Sequence, residues 1–173
     1  MADSAFEKAR LTALQACAVM DTPREPMFDN LVFTAAQLLR APVAALLMVG
    51  EDRVWPKASV GPLERSWDRA TLFAETVVHG GEPLMLENAE VDPRFAGLLK
   101  ATEPGVRFCA AVPVFGPDRY RMGVLCTLDS SVRVAPKRQM MHLQQLADQA
   151  GELLELRVPG LDLTLAERRF RIS

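Results

Sequence analysis

The chain has little with which to perform covalent chemistry. Its three cysteines, Cys17, Cys109 and Cys126, form an odd set at spacings unlike any zinc or redox motif, and the last two lie in apolar runs. Free cysteine in such runs behaves as a small hydrophobe. The two histidines are no better placed: His79 precedes Gly80-Gly81 at a helix end, and His142 falls in the polar register of a late helix. Neither has a nucleophile beside it, so surface or capping roles suit both. Glycine-rich phosphate loops and paired-carboxylate motifs are missing, while Asp118, Asp129 and the acids of "ENAEVD" read as turn and loop residues. No catalytic residue and no metal ligand set is expected.

Long apolar runs are missing too. The longest, 43–49 "VAALLMV", falls far short of the roughly 20 residues that span a bilayer. The opening "MADSAFEKAR" has no signal-peptide core, which points to the cytoplasm. Basic residues number 20 against 22 acidic, a formal charge of −2, giving no overall electrostatic reason for a nucleic-acid or anionic-membrane partner. The sequence contains no internal repeat and no low-complexity segment.

What is present is a well-patterned globular chain of 173 residues, 49% apolar, enough for one domain with some extra helix. Apolar residues at steps of three and four (Phe6, Leu11, Leu14, Ala18, Val19) predict a helix over 5–20, stopped by "DTPRE". A second helix over 27–39 carries Phe28, Leu31, Val32, Ala35, Leu38 and Leu39 on one stripe, and Pro42 restricts Ala41 at its end. "VAALLMVG" reads as a central strand covered on both faces. Over 54–60 the alternation is looser, and Trp55, Lys57 and Ser59 share a face. Thr71 is placed to cap a helix over 72–79 that Gly80-Gly81 terminates. The strand "PLMLE" follows, then a long loop over 88–105 with one helical turn; loops of that length are commonly functional covers or disordered. Residues 106–114 and 120–128 flank the turn "FGPDR" as an antiparallel hairpin. Pro136 opens a last helix to about Arg157, with Met140, Leu143, Leu146, Ala147, Ala150, Leu153 and Leu154 in a seam typical of helix pairing.

This order describes an α+β domain, an antiparallel sheet between helical layers, with the N- and C-terminal helices forming a bundle. "RLTALQACAVMDTPREPMFDNLVFTAAQLLRAPVAALLMVGEDRVWPKASVG", "GEPLMLENAEVDPRFAG", "PGVRFCAAVPVFGPDRYRMGVLCTLDS" and the closing amphipathic helix together resemble a GAF domain, of the subgroup at the N-termini of bacterial sensor kinases and cyclic-di-nucleotide enzymes. The domain is expected over 1–157, with a core of about 27–135 between flanking helices 5–20 and 136–157. Residues 158–173 are expected to be a linker or the start of a following module, since "AERRFRI" resembles the opening of a PAS-type sensor.

The resemblance also implies what is lost. Where the subgroup often carries a cysteine and a histidine, this chain has Phe73 and Glu75. Free-methionine-sulfoxide reductases of this fold use cysteines in a region corresponding to residues 71–105, which here contain none. There is no Cys-His pair of the bilin-binding kind and no Asn-Lys-Phe-Asp-Glu signature of the cyclic-nucleotide binders. The resemblance therefore implies a non-catalytic sensory or regulatory domain, with a possible small ligand of unknown identity and an output domain such as a PAS module, kinase or cyclase. A closed structural dimerisation module and, less favoured, a thiol-dependent reductase using Cys109 or Cys126 are the alternatives.

From the fold so implied, Trp55, Lys57, Phe73, Glu75, Asp92, Arg94, Phe95, Arg107 and Phe108 are expected nearest a cavity beneath the middle segment. Two readings of Phe73, Phe95 and Phe108 stand side by side: walls of a ligand site, or rings that fill the space. A homodimer is expected through Phe6, Leu11, Leu14, Leu143, Leu146, Ala150 and Leu153.

Overall fold

The computed structural model describes residues 2–63, 67–68, 73–95 and 105–159. Among these, α1 (Ala2–Cys17), α2 (Pro26–Leu39), β1 (Val43–Val49), β2 (Arg53–Val60), β3 (Trp67–Asp68), α3 (Ala74–Gly80), β4 (Leu84–Leu86), β5 (Phe108–Phe115), β6 (Arg121–Asp129) and α4 (Lys137–Glu155) follow in order. The strands form one sheet, β3-β2-β1-β6-β5-β4, antiparallel at every pairing. This is the expected α+β arrangement.

The central strand explains why there are two cores. All of β1 is buried, and its alternation sends Ala44, Leu46 and Met48 to one face and Val43, Ala45, Leu47 and Val49 to the other. A strand that is apolar throughout has no face for water, so both must be covered. On the first face lie α1, α2 and α4, through Leu14, Phe28, Val32, Leu143, Ala147 and Leu154 among others. The second is covered by α3 together with Leu86, Ala89, Phe95 and Val106.

Helix ends are closed from other parts of the chain. The first helix stops at Cys17, short of the expected Met20, and α2 stops at Leu39 as read, where Arg40 turns left-handed at φ 49°. Arg133 from beyond β6 holds that turn, donating to the carbonyls of Leu39 and, at 3.2 Å, Arg40. The same device recurs at α3, where Arg121 donates to the carbonyls of Val78 and, at 2.9 Å, His79. At α1 it is Arg157, whose guanidinium reaches the carbonyls of Cys17 at 3.0 Å and Ala18 at 2.9 Å. The last carbonyls of a helix lack partners within it and carry negative partial charge, so a cation brought from elsewhere satisfies both needs.

The expected N-cap Thr71 lies outside the described residues, and α3 is seen from Ala74. Its end is as read: Gly81, at φ 70°, returns its N–H to the Val77 carbonyl at 2.8 Å. In α4, Gly151 lies directly on β5, and a Cβ there would stand 2.0 Å from the Phe115 carbonyl oxygen.

Candidate functional site

Three kinds of contact hold the segment that covers the second face. Ala89 N–H donates to the Arg107 carbonyl at 2.6 Å, and Arg107 N–H donates to that of Asp129 at 2.9 Å, fixing the cover to the start of β5. Arg107 also pairs with Glu90 at 2.6 Å and donates to the Ser130 carbonyl at 3.1 Å. Asp92 closes its own turn by accepting from the Arg94 backbone and side chain, at 3.1 Å and 2.8 Å. That pairing holds the Asp92 carboxyl below its ordinary range, through the Arg94 hydrogen bond first. Arg94 lies 5.0 Å over the Phe95 ring, and Phe95 and Phe73 are only 4% and 2% exposed. Glu75 and His79 face each other along α3 at 3.1 Å.

The nine residues expected around one cavity are therefore divided. Phe73 and Phe95 lie in the core of the α3 face, whereas Phe108 is buried on the opposite face against α2 and α4. Trp55 packs on that opposite face as well. Lys57 joins it as alternation from Trp55 predicts, and is itself a bulge: Leu47 pairs with Pro56 and Leu46 with Ala58, so Lys57 is the extra residue that re-aims the strand beyond it. Ser59 pairs with Ala45 and so belongs to the α3 face, not with Trp55 and Lys57 as simple alternation predicts. Glu75, Asp92, Arg94 and Arg107 are on the outside of the α3-face cover and at its joints.

Trp55 and Lys57 nonetheless line a cavity. A groove of about 490 Å³ runs between the connection Asp21–Arg24 and β2, bounded also by Ser59 and Leu63. Its size falls in the range of small-molecule sites. The Lys57 side chain is fully buried and its ammonium has three partners: Thr22 Oγ1 at 2.7 Å, the Pro23 carbonyl at 2.7 Å and Glu25 Oε2 at 2.5 Å. Glu25 turns its two oxygens to Arg157 as well, at 2.8 Å and 2.7 Å. Together these cations lower the Glu25 pKa, the Lys57 hydrogen bond contributing most.

The thiols are inert by environment. Burial pushes Cys126 up to about 12 and Cys17 to about 11, and raises Cys109 well above its ordinary value. At neutral pH all three are protonated, which is the wrong form for nucleophilic or redox attack. Among the described residues no cluster of His, Cys, Asp and Glu could hold a metal ion.

A family model for the GAF domain matches residues 23–154. The chain belongs to the GAF family. Such domains are generally sensory or regulatory and bind small ligands. A cyclic di-GMP phosphodiesterase of Pseudomonas aeruginosa is 24% identical over 128 residues, which are 73% of this chain and 22% of that protein. Among solved structures, the GAF domain of a phosphoenolpyruvate-protein phosphotransferase from Coxiella burnetii superposes with a TM-score of 0.65 at 15% identity, covering 92% of this chain and 98% of its own. A type II free methionine-R-sulfoxide reductase from Thermoplasma acidophilum has a TM-score of 0.62 at 12% identity, covering 76% and 94%. At these identities the structures share the fold alone.

Of the seven residues expected in a GAF dimer seam, Leu14, Leu143 and Ala150 are buried inside the protomer. Three- and four-residue steps mark a helix face that is covered, and they do not say by what. Phe6, Leu11, Leu146 and Leu153 are half-buried. Phe6 lies 5.7 Å from the Tyr120 ring and under Arg121 at 5.0 Å.

Two charged groups that bridge distant elements escaped the sequence reading. Arg10 is fully buried and donates to the carbonyls of Val49 at 2.8 Å and Arg121 at 3.1 Å; a charge at 10, in line with Phe6 and Leu14 at four-residue steps, was its available signal. Glu25 gave no comparable sign, because its partners lie 32 and 132 positions away.

Proposed function

We propose that this GAF domain is a non-catalytic regulatory unit that dimerises through its terminal helices and passes a change in helix packing to an attached output domain in the cytoplasm. The observation that carries the reading is Arg121. One side chain holds the C-terminal carbonyls of α3 and lies over Phe6 of α1, so a movement of the α3 cover alters the seat of the terminal helix on the other side of the sheet. The protonated thiols favour a role without chemistry, and the small share of the phosphodiesterase that the chain spans favours an output domain such as a kinase, cyclase or PAS module.

For a ligand, the groove beside Trp55 and Lys57 offers the space. On the α3 face, the burial of Phe73 and Phe95 favours the second reading, a closed packing of the rings. Phe73→Ala is expected to cost about 3–5 kcal/mol by urea denaturation if the ring fills a closed core; a loss below about 1 kcal/mol would make it the wall of an open site. Thermal-shift measurements with nucleotides, amino acids and tetrapyrroles test ligand binding itself, since a molecule that binds only the folded state raises its melting temperature with concentration. A rise with one class is expected. No rise with any would leave a structural dimerisation module.

A further inference from the structure

We infer that Glu25 is a latch that holds the end of α4 to the end of α1, so that displacement of the Asp21–Pro26 connection changes how the exit helix leaves the domain. The carboxylate sits at a crossing of three segments: from the connection before α2 it pairs with Lys57 of β2 at 2.5 Å, and with Arg157 just past α4 at 2.7 Å. Arg157 in turn caps α1 through the carbonyls of Cys17 and Ala18. Removing either partner does not leave the other as it was. Without Glu25, the Lys57 ammonium is buried beside a neutral neighbour and Arg157 loses both of its carboxylate bonds, which are the strong, charge-assisted kind.

The whole connection from α1 to α2, residues 18–25, lies between two hollows: its second half borders the groove of about 490 Å³ against β2, and its first half borders another of about 310 Å³ between α1 and the turn Gly50–Arg53. It also holds Ala18 and Asp21 in the left-handed region at φ 46° and 60°, conformations that persist in non-glycine residues where the surroundings enforce them. Arg157 donates to the first of these residues, and Arg53 pairs with the second. Backbone conformations held by a hydrogen bond and an ion pair relax when those contacts open. The groove supplies the input, since whatever fills it meets Thr22, Pro23 and Lys57, three of the four residues that meet at the ammonium. The latch rests on the regulatory reading only in taking α4 as the path of output.

Hydrogen exchange of the 173-residue chain, read by mass spectrometry, tests it with Glu25→Gln, Arg157→Gln and the pair combined. In each single variant the last turns of α1 and α4 are expected to exchange about tenfold faster together, with β5 and β6 unchanged. The double variant should be no faster than the singles. Faster exchange confined to the helix next to the substitution, or effects that multiply in the double variant, would overturn the latch. If Glu25→Gln does not fold, Glu25→Asp, which keeps the charge and shortens the reach, gives the same comparison. Separate exchange of the two helices would remove the latch and leave the regulatory reading to its own ligand test.

Discussion

At the scale of single residues, the buried polar groups carry the sharpest consequences. Thr127 is fully buried on the face under α2 and α4, between Ala44 and Ala110, and its hydroxyl has no hydrogen-bond partner among the described residues. An unpaired buried hydroxyl is a net cost, so Thr127→Val, which keeps the branched shape, is expected to stabilise the domain by about 1 kcal/mol in urea titration. A loss would mean that the hydroxyl is satisfied in solution. Glu25 gives the pH dependence. Its folded pKa is lowered, first by the Lys57 hydrogen bond, from an ordinary value of 4.5. The stabilisation is therefore present above that ordinary value and is lost as pH falls through the folded one. The stability difference between the native chain and Glu25→Gln should be widest near neutrality and shrink on acidification; a difference that stays constant would show that the carboxylate charge contributes nothing. The buried, unreactive thiols were legible from their apolar neighbours. The direction of Ser59 was not, because a single bulge at Lys57 reverses the face that alternation assigns beyond it.

At the scale of elements, α4 is set by its contact with the sheet. A Cβ at Gly151 would meet the Phe115 carbonyl oxygen, whereas one at Gly80 would meet nothing within 4 Å. Gly151→Ala must therefore push the helix off β5 and is expected to destabilise by about 1–3 kcal/mol. Gly80→Ala, at the end of α3, is expected to stabilise by about 0.4–1 kcal/mol through the unfolded chain. Denaturation of the two variants side by side checks both, and equal effects would contradict the packing described. Periodicity located α1, α2 and α4 to within a few residues. How α1, α2 and α3 are closed was not legible, because Arg157, Arg133 and Arg121 reach their last carbonyls from other parts of the chain.

At the scale of the whole molecule, the half-buried residues of α1 and α4 carry the dimer proposal. Leu153 sits on the flank of α4, half-exposed and only partly engaged by the protomer's core. A glutamate there can keep its charge in water in a monomer but would bury it in a seam. Leu153→Glu is expected to give folded monomer by light scattering and circular dichroism from a native chain that is dimeric at high micromolar concentration. A monomeric native chain would remove the dimer.

The sequence by itself determined the helices, the apolar central strand, the hairpin and the family, because each is written in local periodicity, turn residues and their order. It also pointed to buried cysteines, from the apolar runs that hold Cys109 and Cys126. Only the tertiary structure decided that Phe73 and Phe108 lie on opposite faces of the sheet, that Leu143 and Ala150 face inward, and that Glu25 joins β2 to the end of α4. Local patterns report that a residue is covered, but what covers it depends on which distant segments the fold brings together.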